Sequence, residues 1–426
     1  MKRNFVDNYL EFSNERLKGF AEDAIAVEHR QANKKRDFLF VNRYQGKHIP
    51  CAPSDVARIA EEMVSAVEKK EVILAEDKVI VIGFAETATA LGYYVGSTLL
   101  EDGYNIELIT QTTREKVEKQ LVENKNSDVG EIKEVYFSEV HSHATEQKIV
   151  LREDTVKKFE EATYILFVED EISTGNTIIN ACKALKKYAP NARYGVVSYC
   201  NWQTVENQDR FKENKVDRMF VISGILREEP IKEEITGRAR TISVASALNM
   251  FNSFRTGITS EDIGALNEII KATSHMINSE LEEMLKETEA DVKGLNEEEI
   301  ETLGRVRANI EVIGTEEFMY VPIRIADELA KLGKYAVETH STTRSPIDIS
   351  EKDTETFSRG TELTTRMKVS SVYDKDRQTY IYNLADYTTG VPNVCVLITD
   401  GKNTEELEKE LMGIYGERRV LIVKID

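Results

Sequence analysis

Short runs of β-branched and aromatic residues alternate with stretches of helical apolar spacing along most of the chain. Lys78 to Gly83, Asn105 to Thr110, Tyr164 to Val168 and Tyr194 to Tyr199 each have the length and composition of a buried strand. Between them lie two helical stretches, Thr89 to about Leu100 and Ile178 to Tyr188. The second carries its apolar face on Ile178, Ile179, Cys182, Leu185 and Tyr188. This alternation predicts an α/β fold, a parallel sheet covered on both faces with ligands collecting at the carboxyl ends of its strands. Ahead of this block, residues 1–40 read as charged and helical, Phe38 to Asn42 as a short strand, and Asp55 to about Lys70 as a helix capped by Ser54. Behind it, Ser260 to Lys286 is helical, with Thr259 and Asp262 at capping-box spacing.

The remainder repeats the first block in weaker form. Phe318 to Pro322 reads as a strand and Ile325 to Leu332 as a helix. Tyr335 to Thr339, Val394 to Asp400 and Arg419 to Ile425 read as further strands, with a helix from about Thr404. Thr112-Thr113-Arg114 and Thr342-Thr343-Arg344 stand 230 residues apart (342 − 112), and so do Asp170 and Asp400 (400 − 170). The shared offset points to an internal duplication whose second copy is degenerate. The expected division is residues 1–255, a helical linker over 256–295, and a second domain over 296–426.

The richest stretch is Tyr164 to Thr177. Its strand ends in Glu169-Asp170, and Glu171-Ile172 leads into Ser173-Thr174-Gly175-Asn176-Thr177 at a helix start. Backbone N–H groups of such a loop, with the helix N-terminus, attract an anion, and Gly175 permits close approach. A nucleotide P-loop would need G-x-x-x-x-G-K-[ST], which is absent. Carboxylates beside a phosphate loop must face something other than phosphate, and ribose hydroxyls or Mg²⁺ suit them. The order strand, two acids, small polar loop and helix resembles the type I phosphoribosyltransferases, which bind 5-phosphoribosyl-1-pyrophosphate (PRPP). The resemblance implies that Glu169 and Asp170 serve the ribose hydroxyls, directly or through Mg²⁺. It implies that Ser173, Thr174, Gly175, Asn176 and Thr177 cradle the 5′-phosphate.

Composition narrows the setting. A net charge of −19 and a pI near 5.0 exclude non-specific nucleic-acid binding and require any anion pocket to be locally basic. Four scattered cysteines without C-x-x-C spacing suggest neither a zinc site nor a disulfide framework. The charged N-terminus and the lack of a long apolar run predict a cytoplasmic protein without a membrane span.

Four further motifs in chain order narrow the resemblance: Gln45 to Pro50, Gly83 to Thr89, His141-Ser142-His143-Ala144 and Thr343-Arg344-Ser345-Pro346. With Tyr380 to Leu384, the set resembles bacterial phosphoribosyltransferases fused to a TRSP domain, a family associated with tellurite-resistance gene clusters and inferred to make nucleoside-like compounds. In that fold Gly83, Phe84, Ala85, Glu86 and Thr87 occupy the pyrophosphate loop, where Glu86 must hold Mg²⁺ or turn outward. Arg114 can make a bidentate contact to pyrophosphate or a surface salt bridge, and Lys148 can assist the former. His141 and His143 fall in the segment that forms a hood over the reacting centre. There they serve as acid/base or pyrophosphate contacts, with a plain β-edge or a metal pair as alternatives. Gln45, Lys47 and His48 look like an exposed polar cluster for acceptor recognition, or a simple turn. Arg344 either completes the site across domains, binds a second anion, or is structural. Ser173 stands where purine-salvage relatives carry an Asp, which disfavours an ordinary 6-oxopurine acceptor. The expected activity is Mg²⁺- and PRPP-dependent phosphoribosyl transfer to an unidentified acceptor, with a homodimer as one arrangement. A PRPP synthetase, which also pairs an active with a degenerate domain, and a PRPP-sensing regulator are the rivals. No ATP signature supports the first and no basic recognition helix the second.

Overall fold

Residue alternation along the strands decides the layering. In the computed structural model, Val79 and Val81 pack into one apolar core while Ile80 and Ile82 pack into another. Tyr164, Leu166 and Val168 likewise separate from Ile165 and Phe167. A strand with period-2 side chains and both faces apolar belongs to a sheet covered on both sides. The structure describes residues 11–12, 24–29, 38–115, 132–137, 147–223, 243–244, 257–289, 308–347, 366–384, 393–416 and 419–425.

The first part of the chain runs β1 (Glu11–Phe12), β2 (Ile25–His29), β3 (Phe38–Asn42), α1 (Pro53–Lys70), β4 (Val79–Gly83), α2 (Thr89–Glu101) and β5 (Ile106–Thr113). It continues through β6 (Lys133–Tyr136), β7 (Lys148–Leu151), α3 (Glu153–Glu161), β8 (Tyr164–Ile172), α4 (Asn176–Leu185), β9 (Arg193–Asn201), α5 (Val205–Glu213) and β10 (Val216–Ser223); β11 (Ser243–Val244) and β12 (Ile258–Thr259) lead into the second part. The sheet order is β1-β10-β9-β8-β4-β5-β7-β6, with β12 against β5. The run from β10 to β5 is parallel, and β1, β7, β6 and β12 join antiparallel. Proline at the first turn of α1 fixes its start, and Glu71 in the left-handed region ends it. Its buried stripe of Val56, Ile59, Met63 and Val67 covers one face of the sheet.

The second part runs α6 (Asp262–Glu289), β13 (Ala308–Gly314), α7 (Tyr320–Lys331), β14 (Tyr335–Ser341), β15 (Arg366–Ser370), β16 (Gln378–Tyr382), β17 (Asn393–Thr399), α8 (Glu405–Tyr415) and β18 (Val420–Ile425). Its sheet, β11-β18-β17-β13-β14, is parallel throughout. The order β18-β17-β13-β14 matches β9-β8-β4-β5 of the first half, and the hairpin β15–β16 follows β14 as β6–β7 follows β5. One apolar core is shared by both halves: it holds Ile59, Leu91 and Val197 together with Ile310, Val321 and Val396.

Several expectations are corrected. Ile25–His29 is a strand paired antiparallel with Phe38–Asn42, not helix, with Ile25 opposite Asn42 and Val27 opposite Phe40 in the register. The first strand of the second half is Ala308–Gly314, and Tyr320 and Val321 open a helix instead. Pro322 sits in the first turn of α7, where its missing N–H costs nothing. Strand β10 and helices α3 and α5 add to the expected elements; the two helices are short and rich in charge. All four cysteines are free and buried. Among the described residues no helix is long and apolar enough to cross a membrane.

Candidate active site

Register brings the expected motifs to one sheet edge. Gly83, the last residue of β4, lies opposite Val168 of β8 and Gln111 of β5. The loop Phe84–Ala88, the turn at Thr113-Arg114 and Glu169-Asp170, where β8 runs on past the end of β4 beside β9, therefore lie side by side. The close approach of α2 to β4 needs Gly83 and Gly92: a Cβ on Gly92 would lie 2.6 Å from the Gly83 Cα.

Glu169, Asp170 and Glu171 are half-buried, whereas the residues before them are buried. Burial, and then the adjacent Asp170 carboxylate, push the Glu169 carboxyl well above the usual carboxylate range. Two crowded carboxyl groups at a strand end favour a divalent cation or hydroxyl donors. Among the described residues no group of three or more His, Cys, Asp or Glu side chains is gathered to hold a metal.

The loop after β8 is held from below. The Ile172 carbonyl accepts from Trp202 N (2.8 Å), and Arg210 donates to Asn176 Oδ1 (2.7 Å). Gly175 has φ +73° and caps α4, with the Phe211 ring directly behind it. Ser173, Asn176 and Thr177 are half-buried and Thr174 is exposed, so the loop faces outward at the start of α4.

The Phe84–Ala88 loop is fastened on three sides. Ala85 N donates to Thr112 Oγ1 (2.8 Å), and its carbonyl accepts from Gln147 Nε2 (2.9 Å). Gln45 Nε2 donates to the Thr87 carbonyl (2.6 Å), and the Ala85–Glu86 peptide is cis. Glu86 turns outward to the second half. It accepts from Thr343 Oγ1 (2.9 Å), Arg344 N (2.9 Å) and Arg344 Nε (3.0 Å), with Lys47 Nζ at 3.3 Å. Burial opposes its ionisation, but Lys47 and Arg344 outweigh that and hold its carboxyl well below the usual range.

Other expected residues fall differently. Gln45, Lys47 and His48 are buried, not an exposed cluster, because residues 47–51 lie along β14 of the second half. Lys47 Nζ donates to the carbonyls of Glu316 (2.5 Å) and Thr342 (3.1 Å). Lys148 is buried and paired with Glu134 at 2.6 Å. Arg114 stands at the end of β5, its N–H donating to Glu317 Oε1 (2.9 Å). Arg344 adds Glu115 (3.1 Å) and Glu317 (3.0 Å) to Glu86, and Arg377 joins Glu115 (2.5 Å) and Glu316 (2.9 Å). His141 and His143 lie outside the described residues. Sequence reasoning missed Glu115, Gln147, Glu316, Glu317 and Arg377. One signal was available: Val312-Ile313-Gly314 precedes Glu317 as Val81-Ile82-Gly83 precedes Glu86, both 231 residues apart (314 − 83, 317 − 86).

Comparison with known families now decides the class. Residues 24–224 match the family described as phosphoribosyl transferase, and residues 253–414 match the TRSP domain that lies C-terminal to it. The chain belongs to the TRSP-bearing phosphoribosyl transferases. Adenine phosphoribosyl transferase from Trypanosoma brucei is similar at 12% identity and TM-score 0.32, over 52% of this chain and 87% of that one. Orotate phosphoribosyltransferase from Aeropyrum pernix is similar at 12% identity and TM-score 0.29, over 49% and 91%. No curated protein matches the sequence. The assignment of this phosphoribosyl transferase rests on the two family matches, not on those distant likenesses.

Proposed function

We propose that the N-terminal half binds PRPP with Mg²⁺ and transfers its 5-phosphoribosyl group to a small, base-like acceptor, releasing pyrophosphate. The observation that carries this is the junction at the end of β8: two crowded carboxyl groups followed within a few residues by an outward-facing loop capped by Gly175. Anion and hydroxyl recognition then meet on one short segment. The family resemblance supports a place in making a nucleoside-like compound linked to tellurite resistance.

In this reading Ser173 to Thr177 and the start of α4 hold the 5′-phosphate, and Glu169 and Asp170 orient the ribose hydroxyls. Gly83 to Thr87 offers backbone to the pyrophosphate, with Arg114 beside it. A Mg²⁺ ion held by Glu169 and Asp170 would supply charge neutralisation for the departing pyrophosphate. The acceptor forms a bond to C1′ as the C1′–O bond to pyrophosphate breaks; its electron pair leaves with pyrophosphate, and the acceptor's proton passes to solvent or a base. The chain's part is to align the reactants and fix dipoles toward developing charge.

Calorimetry of the full chain with PRPP and MgCl₂ tests the reading. Asp170→Asn removes a charged hydrogen-bond acceptor worth about 1.5–3 kcal/mol, so affinity should fall on the order of tenfold to a hundredfold. Unchanged affinity in that variant sinks the assignment. A mass-spectrometric screen for pyrophosphate release over bases and small amines would then find the acceptor.

A further inference from the structure

The contacts between the two halves come in matched pairs. After β4, Glu86 reaches across to the end of β14, accepting from Thr343 Oγ1 (2.9 Å) and Arg344 N (2.9 Å). After β13, Glu317 reaches back to the end of β5, accepting from Thr113 Oγ1 (2.5 Å) and Arg114 N (2.9 Å). The sheet edges repeat the exchange. Ile258 and Thr259, ahead of α6, pair antiparallel with Ile109 and Leu108 of β5. Cys51, ahead of α1, bridges antiparallel to Thr339 of β14. Helices α2 and α7, which follow the two loops, meet through stacked Tyr93 and Tyr320 rings at 5.1 Å. The same patch used from both sides is the mark of a two-fold dimer interface, here built within one chain.

The two directions differ in chemistry. In the C-terminal half the turn after β17 is filled by its own chain. Asn403 donates to the Val372 carbonyl from its N (3.1 Å) and Nδ2 (3.3 Å), and the Tyr373 hydroxyl donates to Asp400. A Cβ on Gly401 would lie 2.3 Å from Val372 Cγ2. A backbone carbonyl thus sits against that loop's N–H, where an anion loop would hold phosphate.

We propose that Arg344 and Glu317 are positioning residues for the N-terminal site, with the C-terminal half acting as a built-in partner subunit. Arg344 fixes the Phe84–Ala88 loop through Glu86, and Glu317 fixes the Thr113-Arg114 turn. This rests on the phosphoribosyl reading of that site. Arg344 and Glu317 hold the Phe84–Ala88 loop and the Thr113-Arg114 turn, so their loss should be felt at the pyrophosphate end of the ligand and not at the ribose 5-phosphate end.

The test titrates the full chain with PRPP, pyrophosphate and ribose 5-phosphate, each with MgCl₂, and follows thermal unfolding in parallel. Arg344→Lys keeps the charge and loses the guanidinium fork; Glu317→Gln keeps the shape and loses the charge. Each should weaken PRPP and pyrophosphate at least about tenfold, the scale of one charged hydrogen bond, while ribose 5-phosphate stays within about twofold. Arg344→Ala should be worse than Arg344→Lys. Folded variants that bind pyrophosphate like the parent, or that lose ribose 5-phosphate equally, overturn the positioning role. A folded parent chain that binds none of the three overturns the phosphoribosyl reading, and this inference with it.

Discussion

Replacing Gly175 by alanine tests the shape of the phosphate loop with two separable costs. The first is backbone. At φ +73° an L-residue pays roughly 1–2 kcal/mol, offset by about 0.4–1 kcal/mol because alanine leaves the unfolded chain less entropy to lose. About 1 kcal/mol remains. The second is space. The new Cβ would lie 2.1 Å from Phe211 Cε2 and 2.4 Å from Cζ. Phe211 is fully buried in the core between α4 and the sheet, so the ring has no free volume to swing into. Overpacking of this kind costs roughly 1–3 kcal/mol. Gly175→Ala should therefore lose about 2–4 kcal/mol in urea unfolding, and the displaced loop should weaken ribose 5-phosphate binding. Phe211→Leu shortens the ring side, so the double variant should recover the steric share and keep the backbone share. A coupling energy of about 1–2 kcal/mol is expected from that cycle. A single-variant loss under about 0.5 kcal/mol, or no coupling, would refute the geometry.

Further outcomes follow from the electrostatics and from the filled loop of the second half. Because Glu169 is held above the ordinary carboxyl range, binding Mg²⁺ with PRPP should expel a proton and tighten as pH rises through that raised value. Calorimetric heats should depend on the ionisation enthalpy of the buffer more in the parent than in Glu169→Gln; equal dependence would refute it. The same raised value means that Glu169's contribution to stability is present below the ordinary carboxyl range and lost as pH rises, so Glu169→Gln should gain on the parent toward alkaline pH. Since Val372 and Tyr373 fill the second loop, PRPP should saturate at one molecule per chain, and Asp400→Asn should leave its affinity within about twofold. Two sites per chain would contradict the closure.

What the sequence made legible was local. The strands of the first block and the acid pair with its loop depend on runs of a few residues, so periodicity and turn chemistry suffice to find them. The Thr-Thr-Arg offset was legible for the same reason. What stayed hidden depends on partners far along the chain. Gln45 and Lys47 look like surface residues by type, yet residues 47–51 pair with β14 and are buried by it. Lys148 looked free to serve an anion, and Glu134 on the neighbouring strand takes it. The misplaced strand at Phe318 had a further cost. With β13 at Ala308–Gly314, the Gly83-to-Glu86 and Gly314-to-Glu317 spacings coincide, and the exchange of glutamates between the halves becomes readable.

The charges buried between the halves explain why that exchange is specific. Lys47, Arg344 and Arg377 meet Glu86, Glu115, Glu316 and Glu317 in a region where ionised groups are expensive and an apolar contact would be at least as stable. Burial pushes the Glu316 carboxyl up and the Lys47 amine down. Glu86 goes the other way, held ionised by Lys47 and Arg344 against its burial. The Phe84–Ala88 loop thus carries a carboxyl held toward its charged form, and its partner Arg344 is likewise held charged. The Glu86–Arg344 pair therefore fixes the register of the loop that would face pyrophosphate to the second half.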